Sequence, residues 1–430
     1  MTRQADAHRL ARLSAVHIAR MIAAGETTSE QVVRGCLDRI EEREPDVKAW
    51  VTIDPDLAIA QARSRDREAS RGPLHGVPVG VKDVIDTADL PTQMGSAFYA
   101  GYRPKVDAAC VALARSAGAI ILGKTTTAEY AGSAPTVTRN PHALGHTPGG
   151  SSSGSAAAVA DFMVPLAFGT QTGGSVLRPA SFCGVIGFKP TFGRFNPVGV
   201  KPAAESFDTV GLIARSIDDI ELTTAVLTRD DMRVARVAAA PRVGLCRTHL
   251  WSTAQPETRD AVDAAARRAE QAGARIEEIA WPASFEDLTS ARATINAYER
   301  VHGLAYEWQF ARDQMTPQTR KVCEAGLQVS AADYIAAQRL VRSRRLDAAR
   351  LFERVDVLLT PCVAGEAPAG LDYAGDPRFQ EIWTMLHLPA LTLPTHRGPN
   401  GLPVGIQLVA PMDEEQRLFD AGRWFLSVMA

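Results

Sequence analysis

Pro148-Gly-Gly-Ser-Ser-Ser-Gly-Ser-Ala-Ala-Ala-Val159, followed closely by Gly169-Thr-Gln-Thr-Gly-Gly-Ser-Val-Leu-Arg-Pro179, is the part of this chain whose meaning decides the rest. A Gly/Ser run by itself has the composition of a flexible linker. Here Ala-rich apolar sequence follows at once and a second Gly-Gly-Ser closes the segment, so the run leads into a core. Glycines let backbone approach a reacting carbonyl closely and turn its N–H groups inward, as an oxyanion hole requires. A serine ending such a Gly-Gly turn, Ser175, is well placed to attack.

A serine hydroxyl is a poor nucleophile until a base takes its proton. Upstream, Gly76-Val-Pro-Val-Gly-Val-Lys-Asp83 is an apolar, β-branched strand ending in one lysine. Most lysines at strand ends are solvated cations. If Lys82 is buried instead, desolvation favours the neutral amine, which is the base that this chemistry needs.

Further out, helix–Gly–strand units recur. Cys110 to Gly118 leads into Ala119-Ile-Ile-Leu122, and Val262 to Gly273 leads into Arg275-Ile-Glu-Glu-Ile279. In each, glycine stands where a helix C-cap needs a left-handed residue. A third helix is expected after Ser330-Ala-Ala-Asp333, feeding Val355-Asp-Val-Leu-Leu359. Strands alternating with helices predict a largely parallel sheet covered on both faces. The first 45 or so residues read as helical, with Thr28-Ser-Glu-Gln31 as a capping box. Thr228 to Pro241 is the best candidate for a linker or excursion.

Composition excludes more than it specifies. At 430 residues, length alone suggests two or three domains, although large α/β enzymes often enclose one wide sheet. A hydrophobic share of 46% and a charged share of 22% are those of a globular chain. A formal net charge of −2 gives no reason to expect a nucleic-acid or membrane partner. The six cysteines form no CxxC pair and read as reduced thiols. The start, MTRQADAHRLARLS, has no apolar signal core, and the run from Ala156 to Phe168 is too short to span a bilayer. The expectation is a soluble cytoplasmic enzyme.

Together, the Lys82 strand, the two glycine-serine elements, Pro179 to Pro190 downstream and Asn400-Gly-Leu-Pro-Val-Gly-Ile-Gln407 resemble the amidase signature family of serine hydrolases. The two serines stand 175 − 151 = 24 residues apart. The resemblance implies an α/β/α fold with a large mixed β-sheet covered by helices on both faces. It implies one domain over residues 1–430: an N-terminal helical segment (1–65), a catalytic core (66–215), and the remaining sheet with its covering helices (216–430). It also implies a Ser-cisSer-Lys triad in which Ser175 is the acyl-accepting nucleophile, Ser151 the relay and Lys82 the base. The N–H groups of Thr172, Gly173, Gly174 and Ser175 would form the oxyanion hole. No metal or cofactor is expected, and relatives imply a homodimer.

Gln171 stands where the commonest family pattern has Asp. With Arg178 three residues after Ser175, Gly123-Lys-Thr-Thr-Thr127, and Gly375-Asp-Pro-Arg378 with Trp383, the pattern looks most like bacterial malonamidases. There the matching arginine holds a substrate carboxylate, which suits a bidentate guanidinium. The bland alternative for Arg178 is a structural fork to backbone carbonyls or an acidic side chain, and both readings stay open. Arg178, Ser152 and Gly150 are the candidate substrate contacts; Met94, Phe98, Tyr130, Trp383 and Leu386 are apolar candidates for the acyl pocket, or ordinary core. The implied reaction is hydrolysis of a small carboxamide. Esters, aryl amides and carbamates, and the glutamine-hydrolysing subunit of a tRNA-dependent amidotransferase, remain as alternatives; a catalytically dead scaffold is disfavoured by the intact triad.

Three local matches are set aside. Gly118-Ala-Ile-Ile-Leu-Gly-Lys-Thr125 fits the P-loop pattern, but its middle reads as a buried strand, not a phosphate-wrapping turn. Gly150-Ser-Ser-Ser-Gly154 fits a nucleophile elbow centred on Ser152, but no strand precedes it. His142 and His146 have a metal-ligand spacing, yet Pro141 and Gly145 break the helix that would align them. Cys183 follows the nucleophile in an apolar setting and reads as core.

Overall fold

Neighbouring residues of the central strands fall alternately into two separate apolar clusters. Ile121, Leu166, Phe168 and Leu212 belong to the larger one, while Ile120, Leu122, Ala167 and Ile213 belong to the smaller. Side chains on a strand alternate faces, so these clusters are the two sides of a sheet buried on both faces. The computed structural model describes residues 9–230 and 239–429. The linker candidate at 228–241 falls largely outside the described residues.

The sheet has eleven strands: β1 (Trp50–Ile53), β2 (Pro78–Lys82), β3 (Ile120–Thr125), β4 (Leu166–Gln171), β5 (Ile186–Lys189), β6 (Thr209–Ala214), β7 (Arg242–Leu245), β8 (Arg275–Glu278), β9 (Val357–Pro361), β10 (Ala390–Arg397) and β11 (Pro403–Val409). Their order is β1-β3-β2-β4-β6-β5-β10-β11-β9-β7-β8. Parallel pairing is confined to two groups, β3-β2-β4 and β9-β7-β8. All six other pairings among the described residues are antiparallel. The sheet is therefore mixed, as the resemblance implies, and not largely parallel, as the repeated units suggested. Those units lie in the outer groups. The middle contains tight returns such as β10 to β11, where Gly401 takes φ 76°, and short loops can join only antiparallel neighbours.

The helices that shape the site are α1 (Ser29–Val47), α2 (Ala109–Ser116), α3 (Ser153–Ala160), α4 (Leu177–Cys183), α5 (Pro256–Gln271), α6 (Leu288–Gly303), α7 (Pro317–Gly326), α8 (Ala331–Asp347) and α9 (Arg378–Met385). The expected caps are present. Thr28 and Gln31 form a reciprocal capping box on α1, and Ser330 caps α8. Gly118 and Gly273 take φ 95° and 97° between α2 and β3 and between α5 and β8. The first turn of the Ala-rich α3 lies against the backbone just before β1 and just after β3 because it carries no bulk. A Cβ at Gly154 would stand 2.1 Å from the Ala49 carbonyl oxygen. Among the described residues, no helix is long and apolar enough to cross a membrane.

Candidate active site

β2 ends on Lys82, whose side chain has no exposed surface. Its Nζ lies 2.8 Å from Ser151 Oγ and 2.7 Å from Thr170 Oγ1, with the Thr170 carbonyl at 3.3 Å. All its contacts are neutral oxygens. Burial holds the ammonium well below its ordinary pKa. Asp208 opposes this at longer range, while Arg300 and Arg178 add repulsion. Strand position explains the burial. β2 sits between β3 and β4, so a side chain at its end enters the interior rather than solvent.

Ser151 follows a cis peptide bond from Gly150 and precedes α3. Ser175 lies in the turn between β4 and α4, 8% exposed, and faces a cavity. The Ser152 N–H donates to the Ser175 carbonyl at 3.2 Å, which ties the two glycine-serine elements together. The structure thus brings Lys82, Ser151 and Ser175 into one neighbourhood. Its hydrogen bonds join Lys82 to Ser151, and none joins Ser151 Oγ to Ser175 Oγ.

The loop before Ser175 is held from three directions. The Thr172 hydroxyl donates to Asp208 Oδ1 at 2.5 Å, and Asp208 accepts in turn from the N–H groups of Ala203 and Ala204. Thr384 on α9 donates its hydroxyl to the Gly173 carbonyl at 2.7 Å. Gln171 accepts from the N–H groups of Val176 and Leu177 and donates to Thr384 at 3.0 Å. Glutamine at this position therefore caps α4 and braces the loop without placing a charge there. Among the described residues, no acceptor meets the N–H groups of Gly173, Gly174 or Ser175. Donors left free beside a serine hydroxyl can stabilise a developing oxyanion.

The cavity over Ser175 has a volume of about 270 Å³. Thr172, Gly173 and Gly174 line it, as do Arg178, Arg292, Asn296, Arg300, Tyr373 and Glu381. None of Met94, Phe98, Tyr130, Trp383 or Leu386 lines it. Four of these are buried in the core, and Phe98 packs 5.0 Å from Tyr99 and 6.0 Å from Tyr306 between ring centroids. The cavity wall instead combines charged and polar side chains with the small apolar residues Ala131, Val322, Ala374 and Pro377.

Of the candidate substrate contacts, only Arg178 lines the cavity. Its Nε and Nη2 donate to the Gly150 carbonyl, at 3.2 and 2.6 Å, and its Nη1 donates to that of Gly375 at 2.6 Å. Ser152 is fully buried, and its hydroxyl lies 3.3 Å from both the N–H and the carbonyl of Thr170. Gly150 contributes its carbonyl to Arg178. Cys183 is core, and burial pushes its thiol up. His142 lies 2.9 Å from the Cys183 carbonyl. The P-loop-like segment is β3 itself. Sequence reasoning missed Thr170, Asp208, Arg292, Arg300, Glu381 and Thr384. None has a local motif; only spacing four apart on α6 hinted that Arg292, Asn296 and Arg300 share a face.

The family described as Amidase matches residues 31–419 of this chain. A glutamyl-tRNA(Gln) amidotransferase subunit from Chloroflexus aggregans is 32% identical, over 94% of this chain and 93% of the relative. Among solved structures, a peptide amidase from Stenotrophomonas maltophilia has a TM-score of 0.83 at 29% identity, covering 97% of this chain and 96% of its own. A chain from a vestigial protein complex connected with the origins of an s-triazine catabolic enzyme has a TM-score of 0.87 at 29% identity, covering 96% of this chain and 98% of its own.

Proposed function

The chain belongs to the amidase family, and from that premise we propose that it hydrolyses a small carboxamide through an acyl-enzyme on Ser175. One observation carries this: a wholly buried lysine with only neutral partners, 2.8 Å from the hydroxyl of Ser151. Neutral Lys82 accepts the Ser151 proton as Ser151 accepts that of Ser175. Ser175 Oγ then attacks the amide carbon. The N–H groups of the Thr172–Ser175 turn receive the oxyanion. When the C–N bond breaks, the proton returns through Ser151 to the leaving nitrogen, which departs as amine or ammonia. Water attacks the ester by the same relay, releases the carboxylate and restores Ser175.

The cavity supports a small acyl group, because about 270 Å³ falls below the ~300–1,000 Å³ of drug-sized pockets. The residue pattern around Gln171 and Arg178 supports malonamate-like substrates, that is, amides carrying a carboxylate. The test is a panel of amides, aryl esters and carbamates, with the acyl adduct mapped by mass spectrometry. An adduct on Ser152, or on no serine, would sink the proposal.

A second function is supported by the curated relatives more directly than the first. A glutamine-hydrolysing role in an amidotransferase uses the same chemistry on a small amide, and 32% identity spans nearly the whole chain. Gln171 and the malonamidase-like stretches favour the free-standing enzyme. Co-purification with a large tRNA-binding subunit, together with glutamine as the preferred amide, would favour the amidotransferase.

A further inference from the structure

Arg178 is the arginine that the residue pattern offers for a substrate carboxylate, but its fork is largely committed. A guanidinium has five N–H donors, and three of those of Arg178 go to the carbonyls of Gly150 and Gly375. Gly150 carries the peptide to Ser151, so Arg178 steadies the relay serine's backbone.

A different guanidinium is free to bind. Arg292 projects from α6, and its Nη1 lies 2.9 Å from Glu381 Oε1 on α9. Its Nε is buried and has no hydrogen-bond partner among the described residues. An Nε that is removed from water without an acceptor costs free energy, so this guanidinium is held short of its full set of hydrogen bonds. The pair sits directly against the loop that precedes Ser175. A Cβ at Gly173 would lie 3.0 Å from Arg292 Nη2 and 3.1 Å from Glu381 Oε1.

Charge points the same way. Of the residues lining the cavity, three are arginines and one, Glu381, is acidic. Arg300 is tied to the Tyr130 carbonyl at 2.6 Å and faces Asp208. Asp376, also near Arg178, is paired with Arg378, so Arg178 and Arg292 are left to share Glu381. That excess of positive charge in a small cavity calls for an anion.

We infer that Arg292, held by Glu381 against Gly173, is the anion anchor of this cavity and recognises a carboxylate a few bonds from the scissile amide. This rests on the amidase reading above and narrows it to half-amides of short dicarboxylic acids. Glu381 orients the guanidinium through Nη1 and leaves Nη2, which has no hydrogen-bond partner among the described residues, to form charge-assisted hydrogen bonds with the substrate.

The test compares succinamate with butyramide, which lacks the carboxylate, in wild type, Arg292→Gln and Arg292→Lys. Wild type is expected to favour succinamate. In Arg292→Gln the succinamate-to-butyramide ratio of kcat/KM should fall about 30-fold, mostly through KM, as expected for losing hydrogen bonds to a charged group. Arg292→Lys keeps the charge but not the fork and should fall between. Calorimetric titration with succinate gives a second readout that needs no turnover, and Arg292→Gln should bind it at least tenfold more weakly. Circular dichroism checks folding, and Arg292→Lys carries the test if the glutamine variant unfolds. A ratio within threefold of wild type, a wild-type preference for butyramide, or unchanged succinate affinity would overturn the inference. If neither amide is turned over in a Ser175-dependent way, the hydrolase reading fails, and succinate binding still decides the anchor.

Discussion

Lys82 ends β2, Lys124 is the penultimate residue of the adjacent parallel strand β3, and both have no exposed surface, yet their surroundings differ in kind. Lys124 has a carboxylate, Asp83 Oδ1 at 3.2 Å, with the Thr92 hydroxyl at 2.6 Å. Lys82 has only Ser151, the Thr170 hydroxyl and a carbonyl. Burial lowers the pKa of both amines, but for Lys124 a touching carboxylate opposes it, and for Lys82 the nearest help is Asp208 without a direct ion pair. Position in a sheet therefore buries a lysine, and the partner decides what it does. A carboxylate makes an ion pair, whereas neutral oxygens alone are the surroundings that the proposed base requires.

The sharpest way to break this contrast is to remove each amine. Lys82→Met should lower kcat about ten-thousand-fold, the upper range for general-base catalysis, with the unfolding temperature nearly unchanged. Steady-state kinetics and a thermal melt read both. Lys124→Met should do the reverse to stability. Asp83 would be left buried without its cation, at a cost of about 3–5 kcal/mol, seen in urea unfolding. If the two variants exchange effects, the partner argument is wrong.

A pH profile sharpens the comparison. Only the neutral amine accepts a proton, so kcat/KM should rise with pH as Lys82 deprotonates. Since burial depresses that pKa, the limb should lie well below the ordinary lysine value of about 10.4. Asp208 favours the charged amine, so Asp208→Asn should move the limb to lower pH, by about half a unit to one unit. A limb that moves upward would assign the ionisation to another group. The smallest effect is expected at Ser152. Ser152→Ala removes a hydroxyl that contacts only the Thr170 backbone, costing about 1 kcal/mol and changing kcat/KM less than threefold. Loss of activity there would instead revive the nucleophile elbow.

Much of the site was legible in the sequence. Glycine-serine runs entering an apolar segment and a lone lysine ending a strand are contiguous features, and they name the three groups that the fold gathers. The outer groups of the sheet were legible for the same reason, since each helix–Gly–strand unit lies within one stretch of chain. The wall of the cavity was not. Tyr130 and Trp383 are apolar by type and buried by packing, and nothing local separates a core aromatic from a cavity wall.

The chain alone determined the nucleophile candidate, its loop, the lysine strand and the family, because each depends on residues within a few positions of one another. The tertiary structure decided the antiparallel centre of the sheet, which residues wall the cavity and which arginine has donors to spare. Arg178 meets the Gly375 carbonyl, Gly173 meets Thr384, and Arg292 meets Glu381 across long stretches of chain. A hydrogen bond is a property of two partners, and when the second comes from a distant strand or helix, only folding specifies it.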